Sequence, residues 1–252
     1  MTELDPTQRF TSRAENYARY RPGYPPEVID CLREACGLTP RSVVADVGSG
    51  TGILTALFLG NGNQVYAVEP NAAMRAAAEA ALGDQPNFVS INGRAEATTL
   101  AGGSVDLVAA GQAFHWFDAV ASRVEFGRIL RPEGFVALIW NARAYRDDPL
   151  MADYERALGE FGMGHNTVRH RAHAGQMEAL FVNGHETRTF THTRPLTYEM
   201  FWGGFLSSSY APLPGEPRYE AVQHALQQVF ETHQRGGWVT FLYTTEVHFG
   251  QL

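Results

Sequence analysis

From residue 42 onward, short apolar runs alternate with longer stretches whose apolar positions recur every three or four residues. The runs at 42–47, 64–69, 87–91, 105–110 and 134–140 predict strands, because they are short, apolar and bounded by turn-forming residues. The stretches at 53–60, 71–82 and 119–130, between the first few of these strands, predict helices. Alanines between Ala76 and Ala81 favour the second of them. Asp118 is placed to cap the third, and Arg131-Pro132 to end it. Phe135 to Trp140 is continuously apolar, as a strand buried on both faces should be.

The two ends of the chain break this rhythm. The first forty residues read as helical and carry Tyr17, Arg19, Tyr20, Arg21 and Tyr24. Pro22, Pro25 and Pro26 then interrupt them before a helix through Val28, Ile29 and Leu32. Near the C-terminus, 149–160 and 216–233 read as helices, the latter with Val222, Ala225, Leu226, Val229 and Phe230 on one face. After Gly236-Gly237, residues 238–249 alternate apolar and polar, which predicts a half-buried antiparallel strand, with a weaker polar strand at 185–192 beside it. The expected fold class is α/β. It is a Rossmann-like, doubly wound seven-stranded sheet, mostly parallel with an antiparallel C-terminal strand, helices on both faces and a small helical cap.

Composition narrows the partners. The 252 residues are 44% hydrophobic, enough to bury one large core, and carry a net charge of −7. That charge disfavours a nucleic-acid backbone, which needs a basic face. No apolar run approaches the roughly 18 residues a membrane span requires. Met1 to Pro6 lacks the basic and apolar regions of a signal peptide. Cys31 and Cys36 make neither a disulfide framework nor a zinc motif, so a reducing cytoplasm is the expected compartment. All 20 basic residues are arginine, which excludes a Schiff-base lysine.

The strongest chemical signal follows the first predicted strand. Asp46-Val47-Gly48-Ser49-Gly50-Thr51-Gly52 places three alternating glycines between a buried strand and a helix start. Glycine lets backbone approach a ligand closely, and the exposed amides favour a carboxylate or polar nucleotide fragment. A dinucleotide fingerprint would need a glycine at Ile53, and a phosphate-binding P-loop would need a lysine. What remains is a G-x-G-x-G loop suited to S-adenosylmethionine. Glu69 ends the second strand, which lies beside that loop in a doubly wound sheet, where a carboxylate can accept both ribose hydroxyls.

These motifs resemble the class I S-adenosylmethionine-dependent methyltransferases, in particular the small-molecule group often labelled type 11. Asp46–Gly52 is similar to the family's first motif and Val68-Glu69-Pro70-Asn71 to its second. Gly93-Arg94-Ala95-Glu96 is similar to the adenine-contact segment, Ser104–Val108 to the fourth strand, and Ile129–Gly134 to the turn before the fifth. The resemblance implies that Gly48, Gly50 and Gly52 line the methionine part and that Glu69 holds the ribose, with Asp46, Ser49 and Pro70 also among the cofactor-binding residues. It puts Asn71 and Met74 near the adenine, with Ala95 and Glu96 on its edge. Related chains often carry an aspartate where this one has Arg94, which cannot accept from the adenine amino group. That role falls to Glu96, a backbone carbonyl or water. The N-terminal segment, with Phe10, Ala14, Tyr17, Arg21 and Tyr24, resembles a lid in which Arg21 clamps the methionine carboxylate and Tyr17 covers the ligand; the alternative is an amphipathic helix packed on the sheet. The expected organisation is a single methyltransferase domain over 1–252: lid 1–40, cofactor core 41–145, substrate-side cap and last strands 146–252.

Gly111 to Asp118 follows the fourth strand and should open into the ligand crevice. Gln112 is expected at the cofactor. His115 is the candidate general base, and Trp116 a wall or a cation–π partner for the sulfonium. The alternative is an aromatic cluster that only packs the crevice. His165, His170 and His173 have no carboxylate or cysteine at ligand spacing, so no metal is expected. Tyr198 to Tyr210 reads either as a cap over the crevice or as an aromatic core helix. The expected activity is methyl transfer to a small molecule, with oxygen the favoured acceptor atom. The alternatives are a non-catalytic S-adenosylmethionine-binding protein and, disfavoured by Ile53, a nicotinamide-dependent oxidoreductase.

Overall fold

The computed structural model describes residues 17, 19–143, 148–163, 174–208 and 210–252. Seven strands form one sheet in the order β3-β2-β1-β4-β5-β7-β6. They are β1 (Val43–Val47), β2 (Gln64–Val68), β3 (Phe88–Ile91), β4 (Val105–Gly111), β5 (Leu130–Arg143), β6 (Glu186–Leu196) and β7 (Val239–Gly250). The first five pair in parallel, and β7 runs antiparallel between β5 and β6. The chain winds outward from β1 to β3 and then returns to β4 on the other side of β1. That reversal leaves a crevice at the carboxyl ends of β1 and β4.

Eight helices are described: α1 (Glu27–Cys36), α2 (Ile53–Gly60), α3 (Ala72–Leu82), α4 (Ala119–Ile129), α5 (Pro149–Glu160), α6 (Ala174–Leu180), α7 (Tyr198–Leu206) and α8 (Tyr219–His233). Their starts follow from local chemistry. Asn71 caps α3 by accepting from the Met74 amide at 3.0 Å, and Asp118 caps α4 by accepting from Val120 and Ala121 at 3.0 Å. Alternate residues of the central strands enter opposite cores. Val44, Leu107, Ala109, Ala137 and Ile139 pack with α1 and α2; Ala45, Val108, Ala110, Val136 and Leu138 face the other side with Phe126 of α4. Both faces of the sheet are therefore covered, as the unbroken apolar strands require.

A third cluster forms the cap. Met151, Tyr154 and Leu158 of α5, Phe201 and Phe205 of α7, and Val222, Leu226 and Phe230 of α8 meet there. β7 serves two cores: Val239, Phe241 and Tyr243 belong to the cap, Val247 and Phe249 to the sheet. Two strands run beyond the lengths their patterns suggest. β6 extends through Pro195, which an edge strand tolerates because its missing amide costs no central ladder bond. β5 begins already at Leu130, with a register irregularity opposite Val105–Leu107 and Glu133 at φ 64°. The periodicity did not single out α6. Among the described residues no helix is long and apolar enough to cross a membrane.

Candidate functional site

The crevice opens into a cavity of about 470 Å³. The loop after β1 forms one wall and is pinned to β2: the Gly48 and Ser49 amides donate to the Val68 carbonyl at 2.8 and 3.2 Å. Its three glycines all have positive φ, at 68°, 56° and 86°, but they meet different surroundings. A Cβ on Gly48 would stand 2.6 Å from the Ala113 Cβ, and one on Gly52 2.6 Å from Leu82 Cδ1 on α3. A Cβ on Gly50 would meet nothing within 4 Å. Gly48, Ser49 and Gly50 line the cavity; Gly52 does not, and instead starts α2 against α3.

Glu69 stands beside the loop. Its Oε2 accepts from the Gly50 amide at 3.0 Å and its Oε1 from the Asn71 amide at 2.8 Å. Burial raises its pKa, and those two amides and Arg75 pull it back down. The same wall holds Pro70, Asn71, Met74, Ala95 and Glu96. Glu96 Oε1 accepts from the Asp118 amide at 2.9 Å, and its Oε2 lies 3.7 Å from Arg94 Nε. One oxygen of Glu96 is thus already taken by the start of α4.

Asp46 lies at the base of the site with no exposed surface. Thr55 donates to its Oδ2 at 2.6 Å, while Oδ1 has no partner among the described residues. Burial lifts its pKa from 3.8 to about 7, the Thr55 hydrogen bond lowers it, and the charge of Glu69 raises it. The native state therefore binds this proton more tightly than the unfolded chain does. Stability contributed by the neutral form is fully present below about pH 4 and is lost as pH rises to about 7. Asp46→Asn keeps an acceptor for Thr55 and removes the buried charge. It should stabilise the ligand-free protein at pH 8 by on the order of 2 kcal/mol, and by less at pH 5. Thermal unfolding of both proteins at the two pH values checks this; an equal or smaller gain at pH 8 contradicts it.

The segment after β4 supplies the facing wall. Gln112 adopts φ 58° and is held there by its Nε2, which donates to the Asn141 carbonyl at 2.9 Å. A single 3-10 turn, Phe114–Trp116, then presents His115 and Trp116 to the cavity, with ring centroids 4.6 Å apart. Phe114 turns inward and packs edge-on to Phe117 and Trp140.

The N-terminal segment and the cap close the far side. Tyr17, Tyr20 and Arg21 line the cavity. Arg19 and the Tyr20 hydroxyl both donate to Glu199 Oε1, at 2.7 and 2.8 Å, while Arg194 donates to the Tyr20 carbonyl at 2.7 Å. Helix α7 gives room for this contact at Gly203, where a Cβ would stand 2.4 Å from the Tyr20 ring. The two readings of Tyr198–Tyr210 divide by face. Phe201 and Phe205 touch the cavity, whereas Trp202, which is not part of its wall, stacks on Phe205 and meets Tyr219 edge-on.

Every expected site residue except Gly52 therefore lines one cavity. The sequence reading did not single out Arg143, Tyr154 or Tyr243, which line it too, as does Tyr210 at the end of the possible cap segment. Arg143 had a usable signal, since it ends β5 on the same side of the sheet as the expected crevice. Tyr154 and Tyr243 had none, because only the folding of the cap brings them there. Phe10, Ala14, Ser209 and the His165–His173 stretch with Arg169 and Arg171 lie outside the described residues. Among the described residues, no group of three or more His, Cys, Asp or Glu could hold a metal ion.

Residues 45–138 match the family model described as a methyltransferase domain. An uncharacterized methyltransferase of Mycobacterium bovis is 39% identical over 168 residues, which is 66% of this chain and 64% of that protein. The chain thus matches a little under two thirds of that relative's length. A protein from Anaeromyxobacter dehalogenans assigned as a type II methyltransferase superposes with a TM-score of 0.72 at 22% identity, covering 92% of this chain and 98% of that one. A methyltransferase from Geobacter sulfurreducens, solved with S-adenosyl-L-homocysteine, superposes with a TM-score of 0.53 at 18% identity, covering 99% and 100%. At these identities the structural likeness is one of fold.

Proposed function

We propose that this chain, whose residues 45–138 match the methyltransferase domain family model, is a member of that family and an enzyme that transfers the methyl group of S-adenosylmethionine to a small-molecule acceptor. Oxygen is the favoured acceptor atom. The observation that carries the reading is Gly50, open to the cavity and hydrogen-bonded through its amide to the buried carboxylate of Glu69. The residues present fit the cofactor: the Glu69 carboxylate for the ribose hydroxyls, Arg21 for the methionine carboxylate, and the unpartnered Asp46 Oδ1 for a positively charged neighbour. Met74, Ala95 and Glu96 would border the adenine. When bound, the cofactor supplies an electrophilic methyl on a sulfonium, so the protein's task is alignment and proton removal.

In this reading Tyr17, Tyr20 and Arg21 exclude water from above, and Trp116 walls the path between cofactor and acceptor. His115 takes the acceptor's proton on an imidazole nitrogen. The proposed organisation keeps a lid in the segment before α1, a helix that packs on the sheet instead, a cofactor core in 41–145 and a cap in 146–252.

Calorimetric titration tests the reading directly. S-Adenosylmethionine and S-adenosylhomocysteine should bind with Kd on the order of micromolar, and NADH should not. Binding of NADH alone, or of none of the three, overturns it. Product release from a screen of small acceptors separates an enzyme from a non-catalytic binder. In that assay His115→Gln should cut turnover and flatten its pH dependence without weakening cofactor binding; an unchanged profile removes His115 as the base.

A further inference from the structure

The cavity has two chemically different ends. Its wall carboxylates are Asp46, Glu69 and Glu96, and all three stand on the glycine-loop side. Among the described residues the cap end contributes no carboxylate to the wall. It contributes Arg143 instead, with Arg21 from the N-terminal segment.

Arg143 is anchored from behind. Its Nε donates to Glu155 Oε1 at 2.9 Å, its Nη2 donates to the Tyr210 hydroxyl at 3.2 Å, and its guanidinium lies over the Tyr154 ring at 5.1 Å. Glu155 is 12% exposed and is not part of the cavity wall. The remaining nitrogen, Nη1, has no partner among the described residues. Arg21 lies over the Tyr17 ring at 4.9 Å and donates to the Ser207 carbonyl at 3.3 Å, without an ion pair among the described residues. Among the described residues, two guanidinium groups therefore stand at this end, with one carboxylate behind the wall. The effect registers on Tyr210: burial opposes ionisation, yet Arg143, Ser208 and Arg21 bring its phenol below the ordinary value.

Among the described residues of the cap-end wall a cationic ligand would meet no carboxylate, whereas an anionic group would meet the Arg143 guanidinium. A carboxylate can accept from the remaining Nη1 of a guanidinium whose orientation is already fixed. Around it stand Phe201, Phe205, Phe241 and Met200, which suit an apolar or aromatic body.

We propose that Arg143 binds a carboxylate group on the methyl acceptor, and that the phenylalanine wall of the cap holds the acceptor's hydrocarbon or aryl portion. This rests on the methyl-transfer reading above. The pair Arg143–Glu155 orients the receptor, so removing one member alone would strand a buried charge.

The test uses matched probes on the full chain saturated with S-adenosylhomocysteine: benzoate, 3-phenylpropanoate and octanoate, each against its amide, by calorimetry. At least one carboxylate should bind about tenfold more tightly than its amide. In Arg143→Gln/Glu155→Gln, which removes both charges together, that ratio should fall below about twofold while S-adenosylhomocysteine binds as in the wild type. Ratios under threefold in all three pairs, or a preference that survives the double substitution, overturn the proposal. Failure of the wild type to bind S-adenosylhomocysteine instead overturns the methyl-transfer reading, so the two failures are distinct.

Discussion

Glu69→Gln should weaken S-adenosylmethionine binding about a hundredfold while leaving the fold intact. The wild-type carboxylate presents acceptors on both oxygens and is already aimed by two backbone amides, from Gly50 at 3.0 Å and Asn71 at 2.8 Å. An amide side chain replaces one acceptor with a donor. Its NH2 must then face an N–H of Gly50 or Asn71, and one of the two bonds is lost. A pair of charge-assisted bonds to ligand hydroxyls is lost with it. Such bonds contribute about 1.5–3 kcal/mol, and about 2.7 kcal/mol corresponds to a hundredfold change in Kd. Stability should barely change, because burial already raises the Glu69 pKa and the neutral amide avoids that desolvation cost. The raised pKa also means that wild-type affinity should begin to fall on acidification earlier than for an ordinary glutamate. Calorimetry on both proteins decides the matter; a Kd within threefold of wild type would remove Glu69 from the cofactor site.

The second large effect separates the glycines of the loop. Gly48→Ala should lower Tm by roughly 5–15 °C, from about 1–2 kcal/mol of backbone strain plus about 1–3 kcal/mol of overpacking. The new methyl would stand 2.6 Å from the Ala113 Cβ and 3.1 Å from the Phe117 ring, and neither is the loose end of a flexible chain. Gly50→Ala shares the positive φ but has open space around its Cβ, so only the strain applies. Its methyl would occupy the cavity, and its loss should appear chiefly in cofactor affinity. Thermal unfolding with and without S-adenosylhomocysteine distinguishes the two. Equal Tm losses, with equal ligand-induced recovery, would show that the loop acts as one unit.

Much of the fold was legible because it depends on local pattern. The apolar runs at 42–47, 64–69 and 105–110 and the cap Asp118 are set by side chains within a few residues of each other. The early start of β5 escaped notice because Arg131-Pro132 reads as a helix stop. The strand forms there by pairing Leu130 with Val105, a long-range contact no local period reports. The extension of β6 escaped for the same reason, since its outer residues are held only by pairing with β7.

The sequence by itself determined the strand–glycine–helix unit at 43–60, the acidic residue at the tip of the next strand and the alternation that builds a doubly wound sheet. Local periodicity and the unique φ range of glycine are enough for that. Only the tertiary structure decided that Gly48 faces Ala113, that Gly50 faces the cavity and that Gly52 faces α3. It alone brought Arg143 to Tyr210, 67 residues later, at the cap end of the cavity. Those outcomes depend on how distant helices and strands pack, and packing geometry is a property of the whole folded chain rather than of any window within it.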